Sequence, residues 1–226
     1  MKAIKSRKNS FVFTVVIFLS LIGIAVVVRR ASQLLPILIH GNRPSLAVNS
    51  NIPKELAVTE NLFARYPLLT LIHIIPGLIF ILLGPFQFSK NIRSKHILWH
   101  RRSGRIFLIC GAIIGISALI MSFGMPAVGG INQAAATTFF AVLFLFLLYQ
   151  AFISILKRKI ALHREWMIRA YSIGLAVTTI RPIVGIFFAT SRFSGLTPHD
   201  FFGTAFWIGF VLHLITAEVW INRTRN

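Results

Sequence analysis

Acidic side chains are scarce in this chain, and their scarcity limits the chemistry it can perform. Five of the 226 residues are Asp or Glu, so carboxylates for acid–base catalysis are thinly supplied. They are Glu55, Glu60, Glu165, Asp200 and Glu218. The sequence also lacks the paired histidines of metalloproteases and the nucleophile elbow of serine hydrolases. A hydrolytic enzyme is therefore poorly supported.

Cysteine and charged residues are also rare. The single cysteine, Cys110, excludes a disulfide framework within the chain. Charged residues make up 13 % of the chain, whereas soluble domains contain about 25 %. Hydrophobic residues make up 56 % and the mean hydropathy is +0.77. Because the apolar residues occur in long blocks, the composition predicts an integral membrane protein.

Basic residues, by contrast, are abundant. The chain contains 24 Lys and Arg residues and has a formal net charge of +19. These residues cluster at the ends of the apolar blocks, as signals of membrane topology do. No nucleic-acid-binding motif accompanies them. We therefore expect no nucleic-acid partner, and we expect membrane lipids, chiefly anionic ones, to contact these residues.

Six apolar blocks are long enough to cross a bilayer as helices, which takes about 17–25 residues. Blocks of this length are too long for strands, and helices satisfy their own backbone hydrogen bonds in lipid. They lie at about 11–28, 67–88, 105–124, 134–156, 167–190 and 201–221. The sequence predicts an all-α polytopic membrane protein, with one six-helix domain over residues 1–226 and a long outer loop at about 29–66.

The basic residues also predict the orientation. If the N-terminus lies inside, 17 of the 24 Lys and Arg residues fall in inner segments, and the outer loop at 125–133 contains none. Both termini are therefore predicted to be cytoplasmic. The first block ends in valines and two arginines rather than at a small-residue cleavage site, so we expect an uncleaved span.

Two polar residues are predicted to lie deep in the membrane. Arg181 is 18 residues beyond His163 on the same helix face, which places it about 27 Å farther along the helix. A charge at such depth costs at least about 2.5–3.5 kcal/mol and usually faces the protein interior. His73 is predicted at a similar depth on the second span, on one stripe with Gly77 and Gly84. Snorkelling of Arg181 and a purely structural role for His73 are the alternatives.

A second group of candidates lies at the inner ends of two helices. Spans 3 and 5 each begin with His-Arg followed by another arginine, although helix N-termini favour anions over cations. A bound phosphate or carboxylate would relieve this conflict, and anionic lipid headgroups are the alternative. The residues are His100, Arg101, Arg105, His163, Arg164 and Arg169. We expect Glu165 to offset Arg169 at a spacing of four residues, and Glu218 to pair with an inner arginine.

Several short motifs occur in a fixed order along the chain. They are His73-Ile-Ile-Pro76-Gly77, Gly84-Pro85-Phe86-Gln87-Phe88, His100-Arg101 with Gly104-Arg105, and His163-Arg164-Glu165-Trp166-Met167-Ile168-Arg169. Over about residues 67–190 this set resembles a bacterial family of predicted membrane proteins, domain of unknown function 2306. The resemblance implies a multi-span bacterial membrane protein, and we expect it in the cytoplasmic (inner) membrane. It implies no activity, so no catalytic role is transferred.

Three functions are compatible with these residues. The first is binding or transport of an acidic ligand or lipid headgroup, through His73 and Arg181 together with the inner group. The second is a redox protein that binds quinone or b-type haem, for which His100 and His163 are the axial candidates. The third is a membrane subunit without chemistry of its own. Neither the cofactor nor the ligand follows from the sequence.

Overall fold

The computed structural model describes residues 2–41 and 61–225, with side chains from Phe13 onward except that of Lys90. Within these ranges the chain is helical and forms no strand. The helices are α1 Lys2–His40, α2 Pro67–Phe88, α3 Lys90–Lys95, α4 Ile97–Gly124, α5 Gly130–Leu156, α6 Ile160–Ser194 and α7 Pro198–Thr224. All of them except α3 are long and apolar enough to cross a membrane. The predicted all-α architecture of six spans is therefore confirmed.

The helices begin and end where local sequence favours it. Pro67 and Pro198 occupy the first turns of α2 and α7, where a proline loses no helical hydrogen bond. Thr197 and Asp200 form a capping box at the start of α7. Helix α6 ends at Ser194, and the next residue, Gly195, has a φ of 68°, a left-handed conformation that favours glycine.

The first helix is longer than the sequence predicted. Helix α1 continues to His40, twelve residues into the segment that was expected to be an outer loop, so the loop prediction is wrong for residues 29–40. The helix continues because Leu34 and Ile37 pack against Leu71 of α2 and form a small buried cluster. Residues 61–65 are helical as well, so the loop prediction is also wrong there, and residues 42–60 of the predicted loop lie outside the described residues.

The spans form one bundle in which α6 is central, since it contacts α1, α2, α5 and α7. The start of α1 and the end of α7 lie at one end of the bundle, which we call the termini end. The opposite end carries the connections at 125–129 and 195–197, and we call it the loop end. Gly130 at the start of α5 meets His199 at the start of α7 there.

An aromatic cluster fills the middle of the bundle. Phe80 of α2 stacks on Phe107 of α4, with ring centroids 4.0 Å apart, and also contacts Phe144 and Tyr171. All four rings are buried. Gly84 of α2 permits this packing, because a Cβ atom there would lie 2.0 Å from the Tyr171 ring. The cluster therefore separates the two halves of the bundle.

Candidate functional site

A cavity of about 310 Å³ lies in the loop-end half of the bundle. All six spans contribute to its wall, and the connection after α4 and residues Leu62 and Phe63 also line it. Phe80 and Phe144 of the aromatic cluster line its deepest part. Two of the eight predicted site residues, His73 and Arg181, face this cavity.

His73 is held by a short hydrogen-bond chain. Its Nδ1 atom lies 2.9 Å from the Ser117 hydroxyl, and that hydroxyl donates to the carbonyl of Ile113 at 2.6 Å. Because the hydroxyl has only one hydrogen, His73 is the donor in the first contact. The Nε2 atom of the neutral ring is then an acceptor, and protonation would make it a donor. His73 can therefore bind an acid in either protonation state.

Arg181 lies 13 residues, or about 20 Å along the axis, before the end of α6. It lines the cavity and is exposed. It makes no hydrogen bond or ion pair with any of the residues that the structure describes. Pro182 follows it inside the helix and cannot donate to the Thr178 carbonyl, and Thr178 also lines the cavity. Among the residues that the structure describes, no acidic group therefore offsets the guanidinium that Arg181 presents to the cavity.

The charged residues in the described part of the cavity lining are basic. Arg30 of α1, a buried residue whose guanidinium lies 4.6 Å from the centre of the Phe63 ring, lines the wall together with His73 and Arg181. Neither Asp nor Glu occurs among the described residues of the lining. Arg30 is not among the predicted site residues, because Arg29 and Arg30 directly follow the first apolar block and mark the boundary of the predicted span.

The polar and apolar parts of the cavity are separated along the axis of the bundle. On α2 the lining runs from Thr70 and His73 near the loop end to Gly77 and Phe80 near the middle. On α6 it runs from Arg181 inward to Ile173. The cationic groups thus lie toward the loop end, and the floor at mid-bundle is apolar.

The six remaining candidates lie near the termini end and do not line the cavity: His100, Arg101, Arg105, His163, Arg164 and Arg169. Arg169 is committed to an ion pair, since it donates to both carboxylate oxygens of Glu218. The expected pairing of Glu218 with an inner arginine is therefore confirmed. Arg169 is also 3.9 Å from Glu165, which confirms the contact expected at that spacing.

A second ion pair at this end was not foreseen. Arg225 donates to the two carboxylate oxygens of Glu165 at 2.9 and 2.7 Å, and this carboxylate raises the pKa of the Arg225 guanidinium. Arg164 donates to the Thr224 hydroxyl at 2.9 Å. The sequence contains no local signal for these contacts, which join the start of α6 to residues about 60 positions later.

The two inner histidines differ in their bonding. His163 donates from Nδ1 to the Ala151 carbonyl at 2.8 Å, whereas the Nδ1 atom of His100 is buried without a partner in the described chain. Arg101 and Arg105 are exposed. Among the described residues no three His, Cys, Asp or Glu side chains form a possible metal site.

Comparison with known protein families gives one assignment. The profile of a family described as predicted membrane protein (DUF2306) matches residues 70–221, from the first turn of α2 to near the end of α7. The match includes His73, Gly77, Arg181 and the ion-paired Glu218. No curated protein and no solved structure matches the chain. Because the match covers well over half of the residues, this chain belongs to the DUF2306 family of predicted membrane proteins.

Proposed function

We propose that this protein binds an acidic ligand in the loop-end cavity, and that Arg181 supplies the main charged contact. The observation that carries the proposal is the uncompensated guanidinium of Arg181 on the wall of a cavity whose described lining lacks acidic residues. Intramembrane charges are costly and are usually retained for function. A guanidinium binds carboxylate or phosphate through two parallel hydrogen bonds.

His73 is proposed as the second contact to the acid. Its Nδ1–H is occupied by Ser117, so Nε2 is the atom that serves a ligand in the cavity. A neutral His73 accepts from a protonated acid, and a charged His73 donates to the anion. Replacement by Gln would keep a polar side chain but lose a group that can take up a proton.

Transport is an extension of this proposal rather than a part of it. The aromatic cluster of Phe80, Phe107, Phe144 and Tyr171 closes the floor of the cavity, so passage to the termini end would require these rings to part. Uptake of a labelled acid into proteoliposomes tests this step, and binding without uptake would limit the function to binding.

Orientation and lipid contacts are further parts of the proposal. We place the protein in the bacterial cytoplasmic membrane with the termini end inside, where the exposed Arg101 and Arg105 contact anionic headgroups. Labelling of single cysteines introduced at Ser94 and at Ser194 would test the orientation. The proposal requires that a membrane-impermeant reagent reach the second position but not the first from outside the cell.

The redox alternative rests on a separate observation. His163 donates from Nδ1 to a backbone carbonyl, which leaves Nε2 available, as in many metal-ligating histidines. His100 is the other axial candidate, and its Nδ1 atom is buried without a partner in the described chain. An absorption spectrum of protein purified from haem-replete cells decides this point, because bis-histidine haem ligation gives a Soret band that both His100→Ala and His163→Ala abolish. Without that band, the haem hypothesis is rejected.

The ligand proposal is tested with purified protein in a nonionic detergent. We expect dodecanoate or dodecyl phosphate, but not dodecanol, to raise the melting temperature of the wild-type protein. In Arg181→Ala the apparent affinity for the acid should fall by at least about tenfold, since a charge-assisted bond is lost. Arg192→Ala is the matched control, because Arg192 is an exposed arginine of the same helix outside the cavity. Equal affinity in wild type and Arg181→Ala would reject the proposal.

A further inference from the structure

Gly77 is the glycine of α2 whose presence packing does not explain. A Cβ atom at Gly77 would meet no atom within 4 Å, although the residue lines the cavity. By contrast, a Cβ atom at Gly84 or Gly174 would collide with Tyr171 or Phe80 at 2.0 and 2.5 Å. Glycine weakens a helix relative to alanine, so neither helix stability nor the packing of the bundle explains a glycine at position 77. Its missing side chain leaves open space in the cavity.

This open space connects the two chemical halves of the cavity. Gly77 lies on α2 between His73 and Phe80, which are about 10 Å apart along the helix axis. A small anion held by His73 and Arg181 would leave the space over Gly77 and the aromatic floor unfilled. A ligand with an acidic group at one end and an apolar chain at the other would fill both.

The volume of the cavity limits the size of that chain. A volume of about 310 Å³ is at the lower end of the range for small-molecule sites, which is roughly 300–1,000 Å³. Such a space suits one chain better than the two chains of a membrane phospholipid. The acid can be a carboxylate or a phosphate, because arginine binds both.

We infer that the ligand is a single-chain anionic amphiphile, whose acidic group contacts Arg181 and His73 and whose chain lies over Gly77 against the floor formed by Phe80 and Phe144. Gly77 is then the residue that determines how much chain the site accepts. The inference rests on the proposed function and specifies its substrate class.

The test compares long and short acids in wild type and in two leucine variants. Gly77→Leu places a side chain in the cavity, and Gly185→Leu is the control, because a Cβ atom there also meets nothing within 4 Å but the residue lies outside the cavity. We expect Gly77→Leu to weaken binding of dodecanoate or dodecyl phosphate by at least about tenfold. Binding of acetate or methyl phosphate should change by less than about twofold. Gly185→Leu should bind all four as wild type does.

Comparison of the carboxylate with the phosphate of the same chain length shows which acidic group the site prefers. Tighter binding of dodecyl phosphate identifies a phosphate headgroup, and tighter binding of dodecanoate identifies a carboxylate; either result supports an amphiphile. If Gly77→Leu is poorly folded, Gly77→Ala serves instead, and it should still weaken the long acids selectively.

Two results would overturn the inference while leaving the proposed function intact. One is unchanged binding of the long acids to correctly folded Gly77→Leu. The other is binding of acetate or methyl phosphate to wild type as tightly as their twelve-carbon counterparts, with dependence on Arg181. If no acid binds in an Arg181-dependent manner, the proposed function itself fails, and the inference fails with it.

Discussion

Arg181 and Arg169 lie twelve positions apart on α6, yet their surroundings differ. Arg181 has no hydrogen-bonding or ion-pairing partner among the described residues and lines the cavity, whereas Arg169 is paired with Glu218 and lies near Glu165. An unpaired charge in an apolar setting destabilises a protein, and a paired one that loses its partner does so as well. The two arginines should therefore respond in opposite ways to the same substitution.

Arg181→Met should raise the stability of the ligand-free protein while it abolishes acid binding. Removal of the uncompensated guanidinium is expected to increase the free energy of unfolding by about 1–3 kcal/mol. Unfolding by sodium dodecyl sulfate in mixed micelles measures the change. A clear loss of stability would mean that Arg181 serves the fold rather than a ligand.

Arg169→Met should instead lower the free energy of unfolding, by about 1 kcal/mol, because Glu218 loses its partner. The value is modest because the Glu218 side chain is 46 % exposed and water screens the pair. In the double variant with Glu218→Met the two effects should be less than additive. Full additivity would indicate that the pair contributes nothing.

At the residue scale, sequence reasoning succeeded where one rule decides the outcome. A carboxylate near the membrane requires a partner, so pairing of Glu218 was foreseeable. Counting 1.5 Å per residue placed His73 and Arg181 at a similar depth, which agrees with the cavity that they share. The pair of Glu165 and Arg225 was not foreseeable, because it depends on which helix ends meet in the bundle.

At the scale of a single helix, two glycines of α2 differ in what surrounds them. On α2, Gly84 touches the Tyr171 ring and Gly77 faces open space. Both fall on the stripe with His73 that the helical repeat predicted to face inward. The repeat could not say which glycine serves packing and which leaves space, because that depends on side chains from other helices.

Alanine at these two positions should separate the roles. Gly84→Ala is expected to destabilise the protein by about 2 kcal/mol, since the Tyr171 ring must move within a packed cluster. Gly77→Ala should be neutral or stabilising by up to about 1 kcal/mol, as alanine favours a helix. Melting temperatures of the two variants provide the measurement. Similar losses in both would show that Gly77 is a packing residue too.

The positions of the spans could be predicted from the sequence, but the ends of the helices could not. Apolar blocks identified all six spans, yet every span except α2 extends beyond its block, and α6 covers Ile160–Ser194 rather than about 167–190. Hydropathy marks the part of a helix that lies in lipid, and polar residues can continue the helix past it. The extension of α1 to His40 depends on the contacts of Leu34 and Ile37 with α2.

At the scale of the whole molecule, the protein has two unlike ends. The loop end holds the cavity with Arg30, His73 and Arg181, and the termini end holds the ion pairs of Arg169 and Arg225. The sequence predicted polar residues at both ends. It could not predict the cavity, because that space is enclosed jointly by six helices and by the connection after α4.

Trp207 allows binding in the cavity to be observed directly. Its ring lies 5.4 Å from that of Phe140, a lining residue, whereas Trp99, Trp166 and Trp220 lie nearer the termini end. A variant that keeps Trp207 and carries Phe at the other three positions provides a single fluorescent reporter for the cavity.

The most direct test of the account is quenching of Trp207 by dodecanoate brominated along its chain, in nonionic detergent. The account predicts saturable quenching in the single-tryptophan protein, with an apparent affinity that falls at least about tenfold when Arg181→Ala is added. Arg192→Ala should leave the titration unchanged. Quenching that rises without saturation, or that is identical with and without Arg181, would contradict the account.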